Sequence, residues 1–111
     1  MSAQKEKIFQ VDEVNLEILK KNLPVLEITA DGQVNSSGWD LNSGELVAHI
    51  YIQPPTDGIY EFDFVAIPPP EGAITADVFE AIKTKYDWEG FPQDLKGVRI
   101  IAKTNKKEKK V

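Results

Sequence analysis

Apolar and polar side chains alternate along most of this chain, most densely between Ile50 and Pro70. There Tyr60, Phe62 and Phe64 alternate with Glu61, Asp63 and Val65. Side chains two apart share one face of a strand, so the rings point one way and the carboxylates the other. Upstream, Leu46, Ala48, Ile50 and Ile52 alternate with Val47, His49, Tyr51 and Gln53. The pattern predicts two strands joined by the loop Pro54-Pro55-Thr56-Asp57-Gly58, because proline cannot donate to a ladder and Asp-Gly favours a turn. Pro68-Pro69-Pro70 and Gly72 stop the second strand.

The same period extends outward. Val14, Leu16 and Ile18 alternate with Asn15 and Glu17, which favours extended structure, although Val11, Val14 and Ile18 would also share a helical face. Lys20-Lys21-Asn22 reads as a turn. Leu23 to Ala30 reads as a strand, with Pro24 marking its start or an edge position. Asp31-Gly32 is the strongest hairpin signal in the chain. Gln33 to Trp39 is then the returning strand, its polar centre Asn35-Ser36-Ser37-Gly38 an irregular, loop-like edge, and 40–44 a loop. In 73–88, fourfold spacing of Ile74, Val78, Ile82 and Tyr86 competes with alternation of Ile82, Thr84 and Tyr86. A strand with a bulge near Glu80-Ala81 is favoured over a short helix, because its neighbours read as sheet. Leu95 to Ala102 is the last strand, with Val98, Ile100 and Ala102 inward.

Many short strands separated by turns predict an all-β protein. The expectation is an antiparallel β-sandwich of about seven strands, immunoglobulin-like in architecture only, since the Cys–Trp–Cys arrangement is missing. Residues 1–7 form a flexible N-terminus, 8–104 a single sandwich domain and 105–111 a Lys-rich flexible tail. At 111 residues, one domain with one core is expected.

Charge sharpens this picture. Residues 22–82 hold ten acids and no Lys or Arg, and residues 103–111 hold five Lys and one Glu. An acidic body therefore carries a basic end. Such a body repels phosphates, so it is not expected to bind nucleic acid; a protein with a basic patch is the expected partner. The plain reading of the charge is a solvated surface, and the sharper one an acidic face for a cationic partner or Ca²⁺. The lack of cysteine removes disulfides, thiol catalysis and thiolate metal sites. No run approaches the roughly 18 apolar residues of a membrane span, and the N-terminus lacks the apolar stretch of a secretion signal. A soluble, cytoplasmic protein is expected, with a mature secreted chain as the alternative.

Candidate chemistry is sparse. His49, the sole histidine, would need a serine and an acid around it to form a triad. Ser36, Ser37 and Ser43 lie in predicted loops, without a nucleophile motif. Glu61 and Asp63 share a face about 7 Å apart, a spacing that serves glycosidase chemistry or merely keeps an acidic strand face wet. Asp31, Asp40, Asp57 and Glu71 sit near glycines in predicted loops; such acids can serve calcium at a sandwich end, but turn formation is the plain explanation. Trp39 and Trp88 border loops, where a tryptophan anchors a partner or closes a core.

The expected function is a small non-enzymatic binding or accessory module. Its loops 31–38, 40–45, 53–58, 67–73 and 89–94 present the recognition surface, with Trp39, Trp88, Asp57, Asp31 and Asp40 as candidate binding residues. No catalytic residue, metal or cofactor is assigned. The alternatives are a small hydrolase using the central-strand acids and a carbohydrate- or calcium-binding sandwich. Exposed edge strands would allow a homodimer, which no particular residue supports.

Overall fold

The alternating segments become eight strands in a computed structural model that describes residues 4–20 and 22–111. They are β1 (Glu6–Lys7), β2 (Gln10–Leu19), β3 (Val25–Val34), β4 (Asp40–Ala48), β5 (Ile59–Ile67), β6 (Glu80–Glu89), β7 (Gly97–Ile101) and β8 (Lys106–Lys110). No helix among the described residues is long and apolar enough to cross a membrane.

Two sheets form. β2, β3 and β6 make a three-stranded antiparallel sheet with β3 in the middle. The other sheet has β5 at its centre, flanked by β4 on one side and by β1 and β7 on the other, with β8 outside β7. Here the sheet departs from the all-antiparallel expectation: β5 and β7 run parallel, with Phe62 opposite Ile100. The reason is connectivity. The chain leaves β5, crosses to the other sheet as β6, and returns to lie beside β5 in the same direction.

The core lies between the sheets. Phe62 and Phe64 from β5 meet Leu26, Ile28 and Val34 from β3, Val11 and Val14 from β2, and Val98 and Ile100 from β7. Phe62 and Phe64 are buried, while Glu61 and Asp63 are half-buried on the opposite face, as the alternation required. Gly44 and Thr84 tie β4 to β6, the Thr84 hydroxyl donating to Gly44 O at 2.9 Å.

Several sequence expectations are corrected. Asp31-Gly32 is no hairpin but the interior of β3, paired with β2 and β6 on its two sides. Glycine is needed there because a Cβ would run into Gln10 O and Ile8 Cδ1. The hairpin signal lost to packing: two flanking strands satisfy this backbone on both edges. Residues 35–39 turn, and the expected loop 40–44 belongs to β4. It stays in the sheet through a bulge in which Ser43 Oγ donates to Asp40 O at 2.6 Å and accepts from Ile67 N at 2.8 Å. β4 ends at Ala48, so Ile50 and Ile52 lie outside the core, fully exposed. The segment 73–88 is a strand only from Glu80, with no bulge in the pairing there.

The Lys-rich segment expected as a flexible tail is β8, paired antiparallel with β7. Of the N-terminal segment 1–7, residues 1–3 lie outside the described residues, and Glu6–Lys7 form β1. Lys21, in the turn expected at 20–22, is also outside them.

Candidate functional site

Where β4 ends, its chain leaves the sheet and opens a cleft. Ala48 still pairs with Phe62, and His49 N still donates to Glu61 O at 2.9 Å. Then Ile50 to Pro55 swing away, since the two prolines cannot continue a ladder. The Glu61 N–H, which would otherwise face β4, is satisfied by the Tyr51 hydroxyl at 2.9 Å. The gap between this loop, the start of β5 and the end of β6 is a cleft of about 390 Å³.

Aromatic rings line it. Tyr60 packs edge-on against Tyr51 at 5.4 Å between centroids and against Trp88 at 5.6 Å, with interplanar angles of 80° and 73°. Trp88 in turn packs at 5.4 Å and 79° on Phe62. Consecutive rings thus stand nearly perpendicular, the arrangement favoured by the ring quadrupole. Each position follows from the fold: Tyr60 and Phe62 are inward residues of β5, Trp88 is the last inward residue of β6, and Tyr51 is held by its bond to β5. Burial raises the pKa of Tyr60, and its hydrogen bond to Asp94 Oδ1 at 3.1 Å and that carboxylate's charge add to the effect.

A charged network runs along the rim and over the outer face of β5, β7 and β8. His49 Nε2 lies 2.8 Å from Asp63 Oδ1, so this nitrogen carries the proton that the carboxylate accepts. His49 Nδ1 is 3.8 Å from Glu61. Arg99 reaches Glu61 at 3.0 Å and Glu108 at 2.7 Å. Those two hydrogen bonds raise the Arg99 pKa further above its already high value. Three carboxylates face one guanidinium and one imidazole, so the network stays negative whether or not His49 is charged.

The sequence-derived site residues divide. Trp88 and the loops 53–58 and 89–94 gather at this end of the molecule, where Lys96 N donates to Gly58 O at 2.8 Å. Trp39 lines a separate surface hollow with Glu6, Phe9, Asn35 and Lys103 at the other end, so the two tryptophans do not share a site. The loop around 35–38 meets 73–79 there, where Ser37 N donates to Ala76 O. Asp57 Oδ1 accepts from Ile59 N, and Asp40 Oδ1 from Asn42 N, both at 3.0 Å; the first shapes the turn into β5 and the second the β4 bulge. Asp31 sits within β3, opposite Glu13 and Lys83. These acids are not brought together, and among the described residues no group of three or more His, Asp or Glu is placed to hold a metal ion.

For nucleophilic chemistry the arrangement is incomplete. The Ser43 hydroxyl is used within the β4 bulge. Ser37 Oγ accepts from Ala76 N at 2.8 Å, and Ser36 Oγ donates to Ser37 O at 3.1 Å. Among the described residues no serine or threonine lines the cleft beside His49.

Tyr51, Tyr60 and Arg99 went unrecognised in the sequence as site residues. The signal was present: a tyrosine on each side of a proline-broken loop, and an arginine one strand from an outward glutamate. Strand pairing, which alone joins them, is invisible in one sequence. Compared with known proteins, the chain matches no family model, no curated protein and no solved structure.

Proposed function

We propose that the protein is a non-enzymatic recognition module that binds a protein partner through the aromatic cleft between the 49–58 loop and β6. In this reading the two sheets are an immunoglobulin-like scaffold holding loops at either end, and the partner presents a basic patch to an acidic body. One observation carries the reading: four aromatic side chains line a single concave cleft, with the fully exposed Ile52 at its edge. Exposed apolar and aromatic groups gathered around a concavity are the usual makings of an interaction site. Loop prolines limit the ordering entropy that binding would cost. The cysteine-free composition suits a reducing compartment, and the cytoplasm is the proposed location.

Selection of a displayed random-peptide library on the immobilised protein tests this. Recovered peptides are expected to lose at least tenfold in affinity for Trp88→Leu and Tyr51→Ala variants that melt as cooperatively as the wild type. Equal affinity for the variants would count against the cleft.

A second reading rests on the 2.8 Å contact between His49 and Asp63, an acid–imidazole pair of the kind that supports hydrolysis. It would need a nucleophile or water beside His49. Turnover of a panel of activated esters and aryl glycosides that disappears in His49→Ala would favour it.

A further inference from the structure

We infer that the cleft accepts a basic side chain of its partner, an arginine foremost, between the aromatic rings and the negative rim. This rests on the recognition reading above and names the chemistry of that site.

Three features converge on it. First, Tyr51, Tyr60, Trp88 and Phe62 line the cleft with successive rings nearly perpendicular. Such rings turn π-faces in different directions, and a guanidinium stacks on a π-face while being attracted by its quadrupole. Second, the nearby charges are mainly carboxylates. Glu61 lines the cleft, Asp63 lies across His49, and Asp94 accepts a hydrogen bond from the Tyr60 hydroxyl. A phenol donating to a carboxylate has a more electron-rich ring, which strengthens its pull on a cation. Third, among the described residues no lysine or arginine lines the cleft. The one nearby guanidinium, Arg99, is already held between Glu61 and Glu108. The cleft is therefore shaped and charged for a cation that its described lining does not supply.

The probes are N-acetyl-arginine amide, the neutral and nearly isosteric N-acetyl-citrulline amide, and N-acetyl-norleucine amide. Each is titrated into isotopically labelled protein while the Trp88 indole and Tyr51 ring resonances are followed. The arginine probe is expected to shift them saturably in the millimolar range, and at least roughly fivefold more tightly than citrulline, as a single cation–π contact implies. Trp88→Phe, which keeps a ring face, should retain most of the response, and Trp88→Leu should lose it. Equal response to arginine and citrulline would overturn the inference. So would silence toward all three probes when displayed peptides do bind the cleft. In those two cases recognition by the cleft would stand, whereas failure of the displayed peptides as well would remove recognition itself.

Discussion

Asn105 and Val11 exchange two hydrogen bonds: Val11 N donates to Asn105 Oδ1, and Asn105 Nδ2 donates to Val11 O, each at 2.8 Å. A side-chain amide thus acts as a strand partner, joining the turn before β8 to the edge of β2 and so one sheet to the other. Asn105→Ala leaves both Val11 backbone groups unpaired in a half-buried place. It is expected to cost about 2 kcal/mol, read as a lower urea midpoint at unchanged slope. Asn105→Asp keeps the acceptor and loses the donor, and should be no more stable than Asn105→Ala.

Gly32 should tolerate no side chain. A methyl group there would meet the Gln10 carbonyl, which is backbone and cannot swing aside. Gly32→Ala is expected to destabilise by roughly 2 kcal/mol, the scale of overpacking, seen in thermal or urea unfolding.

Phe64 and Ile52 make an instructive pair. Phe64 is fully buried, and Phe64→Ala should lose about 4 kcal/mol or prevent folding. Ile52 is 99% exposed, and Ile52→Ser should leave stability within about 0.5 kcal/mol. The same Ile52→Ser should weaken peptides selected on the cleft, which separates binding from folding.

The lysine-rich strand is expected to be structural. Removing residues 106–111 strips the ladder partner from β7 and exposes its edge. The shortened chain should lose on the order of 3 kcal/mol, from several ladder bonds at about 1 kcal/mol each, and should associate through the bared edge. Unfolding curves and light scattering check both. A shortened chain as stable as residues 1–111 and scattering no more light would show these residues to be dispensable.

Tyr60 predicts a pH dependence. Its pKa is raised in the folded state above 10.0. Below pH 10 the phenol is neutral both folded and unfolded, and its stabilising effect is complete. As pH climbs past 10 the unfolded chain ionises first, so stability falls until the folded phenol titrates too. Wild type should therefore lose more stability than Tyr60→Phe between pH 9 and 11, measured by urea unfolding.

Much of the fold was legible because period-2 alternation is local. Phe62 and Phe64 inward and Val98 and Ile100 inward follow from side chains two apart; in Gln10–Leu19 the same spacing favoured the strand without removing the helical face of Val11, Val14 and Ile18. What failed was long-range. Asp31-Gly32 has the chemistry of a turn, but β2 and β6 flank it and hold it straight. The lysines of β8 read as a solvated tail, although a strand at the rim of a sheet can be wholly charged and still donate its backbone to β7. Of the cleft, Trp88, His49, Glu61 and Pro54 of the loop 53–58 were in view. Its other walls depend on where β4 leaves β5, a departure that the prolines mark and only the register locates.

The parallel neighbour of β5 has a consequence for how the chain is made. During synthesis, residues 59–63 emerge 38 positions before the residues that must lie beside them, as Ile59 opposite Gly97 shows. At about 5–20 residues per second, Phe62 and Phe64 wait seconds for residues 97–101, and longer for 106–110. Until then the central sheet is half built and greasy, so the nascent protein is most vulnerable to mispairing just before its lysines arrive.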